Sequence, residues 1–518
     1  MMMNERGGSV RRGRRRGSDL AEPAAHLARA ARYRRLENPF DPLRVFSDDN
    51  VEVLHLAALS ILENLGIRVL HAGARGRLAS AGALVNEATE MVRFDRGLVE
   101  QALATAPRAV ELVGRGADRV VTIGGRSLAV MPVSGPPNVT DCLRGRRPGT
   151  LGDFRDFVRL AQSFDVIHAL GPSVEAQDVP LNLRHLETMQ AQLGLSDKAP
   201  FIFCRGRAQI QDGFAMLRIA HGVDEARFRE RVYAYTVINT NSPRQIDSPM
   251  AEGIIEFAEA GQLTIVTPFT LAGAMAPVTL PGALVLAHAE ALAGITLAQI
   301  VRPGAPVAYG SFTSNVDMKS GSPAFGTPEH VKASLGAGQL ARRIGLPWRS
   351  SNATASNAAD EQAIYETSMS LWGSVMGGCN VLMHAAGWLE GGLTASYEKF
   401  ILDIEMLQMM AETLQPVEVS AEEIGLHAIA DVNPGGHFFS TAHTMERYRT
   451  AFYTPLVSEG GNFGAWQEAG AHTARDRATG IWRATLQAFA APALETSVAE
   501  QLEEFVARRR AEGGALPP

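Results

Sequence analysis

Cysteine and lysine are both scarce in this sequence, and each scarcity removes a class of chemistry. Three cysteines in 518 residues, Cys142, Cys204 and Cys379, are too few and too scattered for a disulfide framework. No CxxC pair or Cys/His cluster has zinc-like spacing, and neither an HExxH pair nor a facial triad occurs, so no bound metal is expected. Four lysines, Lys198, Lys319, Lys332 and Lys399, leave little room for Schiff-base catalysis, which needs one at a strand end; Lys319 comes nearest. Positive charge is not in excess either. The formal net charge of −6 argues against a nucleic-acid groove and favours a small-molecule or protein partner. No apolar run is long and charge-free enough to span a bilayer, and the arginine-rich start is not followed by a secretory core. A reducing cytoplasm is therefore the expected setting.

What the chain does contain is rhythm. Residues 1–44, with Arg11, Arg12, Arg14, Arg15 and Arg16, read as a disordered basic arm. Residues 45–128 read as a small α+β cap, opened by a capped helix at SDDNVEVLHLAALSILENLG. Beyond it, short apolar runs end in polar residues and glycine, each followed by a helical stretch: 127–133, 166–174, 200–206, 231–238, 263–269, 305–312, 346–352 and 380–388. Eight such runs at intervals of roughly 30 to 40 residues are the pattern of βα units, and predict an α/β fold with a (β/α)8 TIM barrel over 129–390. A doubly wound open sheet is the alternative, disfavoured because no GxGxxG follows the first strand. Residues 391–518 read as a helical C-terminal region.

A barrel carries its site on the C-terminal ends of its strands. There the sequence supplies aromatics, amides, hydroxyls and a few arginines, with hardly any carboxylates, so paired-carboxylate hydrolysis has little to work with. A roomy polar-aromatic mouth without a nucleophile or metal suggests a reactive centre borrowed from a cofactor or partner.

At YGSFTSNVDMKSGSPAFGTPE (309–329) the sequence resembles the trimethylamine methyltransferase family, and the likeness extends from about residue 45 to 490 through SILENLGIRV, GLPWRSSNATASNAADEQA, GGCNVLMHAAGWLEGGLTASYEKFILD and GGHFFSTAHT. The resemblance implies a (β/α)8 barrel whose mouth docks a corrinoid protein, the Co(I) centre of which takes a methyl group from an amine. The trimethylamine-specific members carry a pyrrolysine in the GLP segment; the matching position here is Ala353, eight residues after Gly345. The branch without pyrrolysine resembles glycine betaine-type methyltransferases. A quaternary nitrogen already carries the positive charge that a departing amine requires, so an alanine suffices.

A tetraalkylammonium has no N–H to donate, so ring faces must recognise it. Phe203, Phe269, Tyr309, Phe312 and Trp388 are the expected cage residues by strand-end position, with Trp348 too early in its strand. Arg205 and Arg349 are the expected receptors for a betaine carboxylate, with Asn352 as an amide donor. His384, closing the last strand, is expected to face the substrate or the corrinoid, while Asp317 and Glu390 organise loops. The cofactor is expected to be a corrinoid on a partner protein, and the chain to form a homo-oligomer. The alternatives are a barrel lyase or hydrolase acting without a corrinoid, and a nonenzymatic betaine-binding protein.

Overall fold

Short β-branched and apolar runs separated by capped helices dictate a layered α/β chain, and the computed structural model, which describes residues 32–518, has that form. The arginine-rich stretch lies outside the described residues. Its expected end at residue 44 is corrected: Leu36 and Glu37 pair antiparallel with Leu128 and Ser127, because Leu36 is apolar and buried there. The chain divides into two compact units, the larger comprising residues 34–416 and 455–518 and the smaller including 417–454. The smaller holds the short helices Ala421–Ile424, Leu426–Ala430 and Ala442–Arg447.

In the larger unit six parallel strands lie side by side in the order Ser127–Val130, Val381–Met383, Trp348–Ser351, Val307–Gly310, Leu263–Val266, Tyr235–Ile238. Two expected strands, at 166–174 and 200–206, make isolated bridges instead. Ala169 bridges Ala199, Phe201 bridges Tyr235, and the His168 N–H donates to Val130 O at 2.8 Å. The physical reason is local. Pro172 and Pro200 have no N–H to give a ladder. The Val130 N–H, moreover, is taken by the His168 ring at 3.0 Å rather than by a carbonyl.

Alternation along these runs sorts side chains into two environments. Ala129, Met131, Phe201, Tyr235, Leu263, Ile265, Ala308, Val381 and Met383 share one core with Val110, Leu112, Val121 and Ile123 of the hairpin Ala109–Val113/Val120–Gly124. Leu112 of that hairpin bridges Val232, just before the strand Tyr235–Ile238, so the hairpin plugs the N-terminal end of the strands. The C-terminal strand ends are left open.

The intervening positions face the helices. Trp348 packs on helices Pro328–Ile344 and Glu361–Met376, where a Cβ on Gly338 would stand 2.9 Å from its ring. Local sequence explains these helices: Thr327 caps the first, Pro328 opens it, and Gly345 ends it at φ 67°. The helix Leu280–Val301 corrects one expectation, being long and apolar enough to cross a bilayer; 83% of its apolar window is buried inside the protein, as core. Helices Tyr397–Thr413, Ala474–Gln487 and Thr496–Ala511 complete the larger unit, and Trp482 Nε1 donates to Glu398 at 3.0 Å to tie two of them together.

Candidate active site

Because Trp348 and Ser350 point to the helices, Arg349 between them points to the opposite face of the sheet. There it lines a cavity of about 530 Å³ at the open strand ends, together with Phe203, Arg205, Phe269, Phe312, His384 and Trp388. Seven of the expected site residues thus meet around one space.

Phe312 is the hub of that space. Its ring centre lies 5.2 Å from Phe269, 5.0 Å from Phe325 in a stacked pair, 5.1 Å from His384 and 6.1 Å from Trp388. Packing fixes the arrangement. Gly392, at φ 107°, runs so close to Trp388 that a Cβ there would stand 2.5 Å from the indole.

The polar groups are buried and short of partners. Arg349 is 2% exposed, and its Nε and Nη1 have no hydrogen-bond partner; burial pushes the guanidinium down to about 9, which leaves it cationic at neutral pH. His384 Nδ1 and Trp388 Nε1 are likewise buried without a partner. His384 is held well below the ordinary histidine range, first by burial and then by Arg349 and His330, so its ring is neutral. Its backbone is left-handed, at φ 59°, which is strained for a residue with a Cβ. The cavity offers no ready nucleophile: the Cys204 thiol is pushed up to about 12 by burial. Asp247 is occupied capping the helix Ser248–Ala260, with Met250 N–H at 2.9 Å.

Several expectations are corrected. Arg205 pairs with Glu175, which also accepts from Arg184 at 3.0 Å, and its guanidinium covers the Phe203 ring at 4.3 Å; neither side chain is free for a ligand on that side. Tyr309 points to the helix side of the sheet, since its neighbour Ala308 points to the core, and its hydroxyl meets His288 Nδ1 at 3.2 Å on the helix Leu280–Val301. Asn352 and Ala353 are buried behind the cavity wall and do not line it. Asn352 Nδ2 donates to Ala385 O at 3.4 Å, leaving its Oδ1 unpartnered, and Ala353 O accepts from Ser370 Oγ at 2.8 Å. Asp317 and Glu390 hold loops, through Ser320 Oγ at 2.6 Å and Arg146 at 2.9 Å.

Phe325 and Glu175 were missed. Phe325 follows the short strand Pro323–Ala324, which pairs antiparallel with Asn315 and Val316 outside the six parallel strands, although it lies within the YGSF…TPE stretch. Among the described residues no group of three or more His, Cys, Asp or Glu is placed to hold a metal. The chemistry available is thus recognition: ring faces for a cation, and buried donors for an anion, within one small space.

A family model described as trimethylamine methyltransferase (MTTB) matches residues 11–514. Glycine betaine methyltransferase of Desulfitobacterium hafniense strain Y51 is 33% identical over 472 residues, 91% of this chain and 98% of that protein. A trimethylamine methyltransferase of D. hafniense strain DCB-2 is 28% identical over 90% of this chain and 94% of its own length. Among solved structures, the monomethylamine methyltransferase of Methanosarcina barkeri covers 94% of this chain and 93% of its own, with a TM-score of 0.51 at 12% identity, a likeness of fold alone. With nearly its whole length matched, this chain belongs to the trimethylamine methyltransferase (MTTB) family.

Proposed function

We propose that this protein is a methyltransferase that takes a methyl group from a small quaternary amine bearing a carboxylate, with glycine betaine as the simplest substrate, and delivers it to a corrinoid protein docked at the mouth of a (β/α)8 barrel. The observation that carries the reading is Arg349, a buried cation with unpartnered donors beside an aromatic wall. The likeness to a protein named glycine betaine methyltransferase supports the same reading. The resemblance, which sets Ala353 at the pyrrolysine position of trimethylamine-specific members, points the same way, although Ala353 itself is buried behind the cavity wall.

The cavity suits an amine of a few heavy atoms and leaves a ring the size of a corrin outside, at its opening. The corrinoid, when docked, supplies the Co(I) nucleophile that accepts the methyl group. The protein's own residues do the rest. Arg349 anchors the carboxylate, with the His384 and Trp388 ring N–H groups as further donors. This requires the neutral His384 to carry its proton on Nδ1. Phe269 and Trp388 present ring faces to the trimethylammonium group and keep water from it, while Phe312, stacked on Phe325 and covered by Arg349, backs the anion end. Anchored at the carboxylate, the substrate directs its N-methyl groups away from Arg349, and this alignment supplies most of the acceleration. No acid is needed, because a quaternary nitrogen leaves as a neutral tertiary amine.

The test is incubation with glycine betaine, proline betaine, carnitine, tetramethylammonium and trimethylamine in turn, with reduced cobalamin as acceptor. The loss of Co(I) absorbance and the demethylated amine are followed together. Glycine betaine or another carboxylated quaternary amine is expected to react fastest. Turnover that needs no corrinoid, or trimethylamine reacting at least as well as every quaternary amine, would sink the proposal.

A further inference from the structure

One buried ion pair stands just behind the cavity and takes no part in binding. Lys399 and Asp403, one turn apart on the helix Tyr397–Thr413, are each 1% exposed and paired with each other. Lys399 Nζ also donates to Thr367 Oγ1 at 2.9 Å, on the helix Glu361–Met376. The second carboxylate oxygen, Asp403 Oδ2, accepts the N–H of Gly387 at 2.8 Å.

Gly387 sits in the segment that carries His384 and Trp388. The strand Val381–Met383 has ended, and the chain reverses through a left-handed His384 (φ 59°) and a left-handed Gly387 (φ 93°). Beyond a strand end a buried N–H has no ladder partner, and leaving it unsatisfied is costly. A strained residue such as His384 keeps its conformation only where its surroundings over-determine it. Ala385 N–H to Met131 O and Val133 N–H to Ala386 O, each at 2.9 Å, hold the near side of the segment. On the far side Ser396 N–H donates to Gly387 O at 2.9 Å, and the Gly387 N–H is left to Asp403. A carboxylate makes a stronger acceptor than a neutral group, and Lys399 is the counter-ion that lets a carboxylate stay charged in that place.

We propose that Asp403, held by Lys399, is a positioning residue: it fixes the Gly387 peptide, and through it the direction in which His384 and Trp388 face the substrate. This rests on the function proposed above.

Two double variants and one single variant test it. Lys399→Met with Asp403→Leu replaces the ion pair by apolar groups of similar volume, a change that buried pairs often tolerate without loss of stability, but it removes the acceptor for Gly387. Lys399→Gln with Asp403→Asn keeps a neutral acceptor. Melting temperature, Kd for glycine betaine and kcat/KM with reduced cobalamin are measured beside the wild type. The apolar variant is expected to fold and to lose roughly 10- to 100-fold in kcat/KM through a misplaced cavity wall, and the amide variant to recover most of that loss. A folded apolar variant with wild-type Kd and kcat/KM would overturn the inference, as would an amide variant as impaired as the apolar one. Should the apolar variant fail to fold, Thr367→Val decides: it loosens Lys399 at constant volume, a several-fold loss of kcat/KM is expected, and an unchanged value overturns the inference. A wild type that turns over no quaternary amine ends both this inference and the functional reading; an active wild type beside an equally active apolar variant ends this inference alone.

Discussion

The guanidinium carbon of Arg349 lies 5.3 Å from the centre of the Phe312 ring, and among the described residues no carboxylate pairs with it. Burying a charge without a counter-ion is costly, and a ring face returns only part of that cost. The fold therefore holds a cation in wait. An anionic group entering the cavity would recover hydrogen bonds that the protein alone leaves unmade.

Replacing Arg349 by methionine should separate stability from function. The variant loses an unpaired buried charge and is expected to melt at the same temperature or higher. It also loses charge-assisted hydrogen bonds worth about 1.5–3 kcal/mol. Affinity for glycine betaine should then fall roughly 10- to 150-fold, while that for tetramethylammonium, which has no carboxylate, should change little. Titration calorimetry with the two ligands checks this; equal losses for both would show that Arg349 supports the cavity rather than the carboxylate.

Phe269→Leu probes the cationic end. Attraction between ring and cation weakens as positive charge disperses on the way to the transition state, so a cage residue contributes more to binding than to turnover. At about 0.5–2 kcal/mol for the lost ring face, KM should rise roughly 2- to 30-fold with kcat unchanged or somewhat higher. Steady-state kinetics decide, and a fall confined to kcat would contradict a cage role.

Gly392→Ala tests the packing behind Trp388. A Cβ at this position would stand 2.5 Å from Cζ2 and 2.6 Å from Cη2 of the indole, on a backbone at φ 107° that disfavours any side chain. The substitution is expected to lower the melting temperature and to weaken glycine betaine binding together. A variant that binds normally would mean that the indole position does not matter to the ligand.

Six of the eight expected strands were legible in the sequence to within a few residues, because runs such as LTIV and VAYG alternate with capped helices, whereas the runs holding Pro172 and Pro200 form only isolated bridges. Which residue of a run faces the cavity was less so. In WRSS the buried tryptophan faces outward onto the flat surfaces of Gly338 and Gly377, and the arginine faces inward, the reverse of what hydrophobicity suggests. Tyr309 was misread for the same reason, its orientation being set by Ala308 beside it. Arg205 looked like a free cation because its partner Glu175 lies 30 residues away in the chain. The link from Asp403 to Gly387 has no sequence signature, since a side chain reaching a peptide N–H depends only on how helix and strand end pack.

Acid should unfold this protein through its buried histidines. His288, His330 and His384 are all held below the ordinary histidine value, mainly by burial, with His330 at about 4. Below pH 6.5 the unfolded chain takes up protons that these folded sites refuse, so stability rises with pH in this range and falls on acidification. Each site costs about 1.4 kcal/mol per pH unit below 6.5, until its own folded value is reached. Asp403, pushed up to about 6 by burial, and Glu256 and Glu290, raised by the same cause, act in the opposite sense above the unfolded carboxyl value, while His55 and His221, the latter at about 4, add to the three histidines. The melting temperature should therefore drop with increasing steepness from pH 6.5 towards 4. His330→Asn should reduce the slope, because an amide oxygen can still accept the Gly326 N–H that His330 Nδ1 accepts at 3.2 Å, yet takes up no proton. Thermal melts at half-unit intervals would show it, and a melting temperature that stays flat between pH 7 and 5 would mean that these rings are not held neutral by the fold.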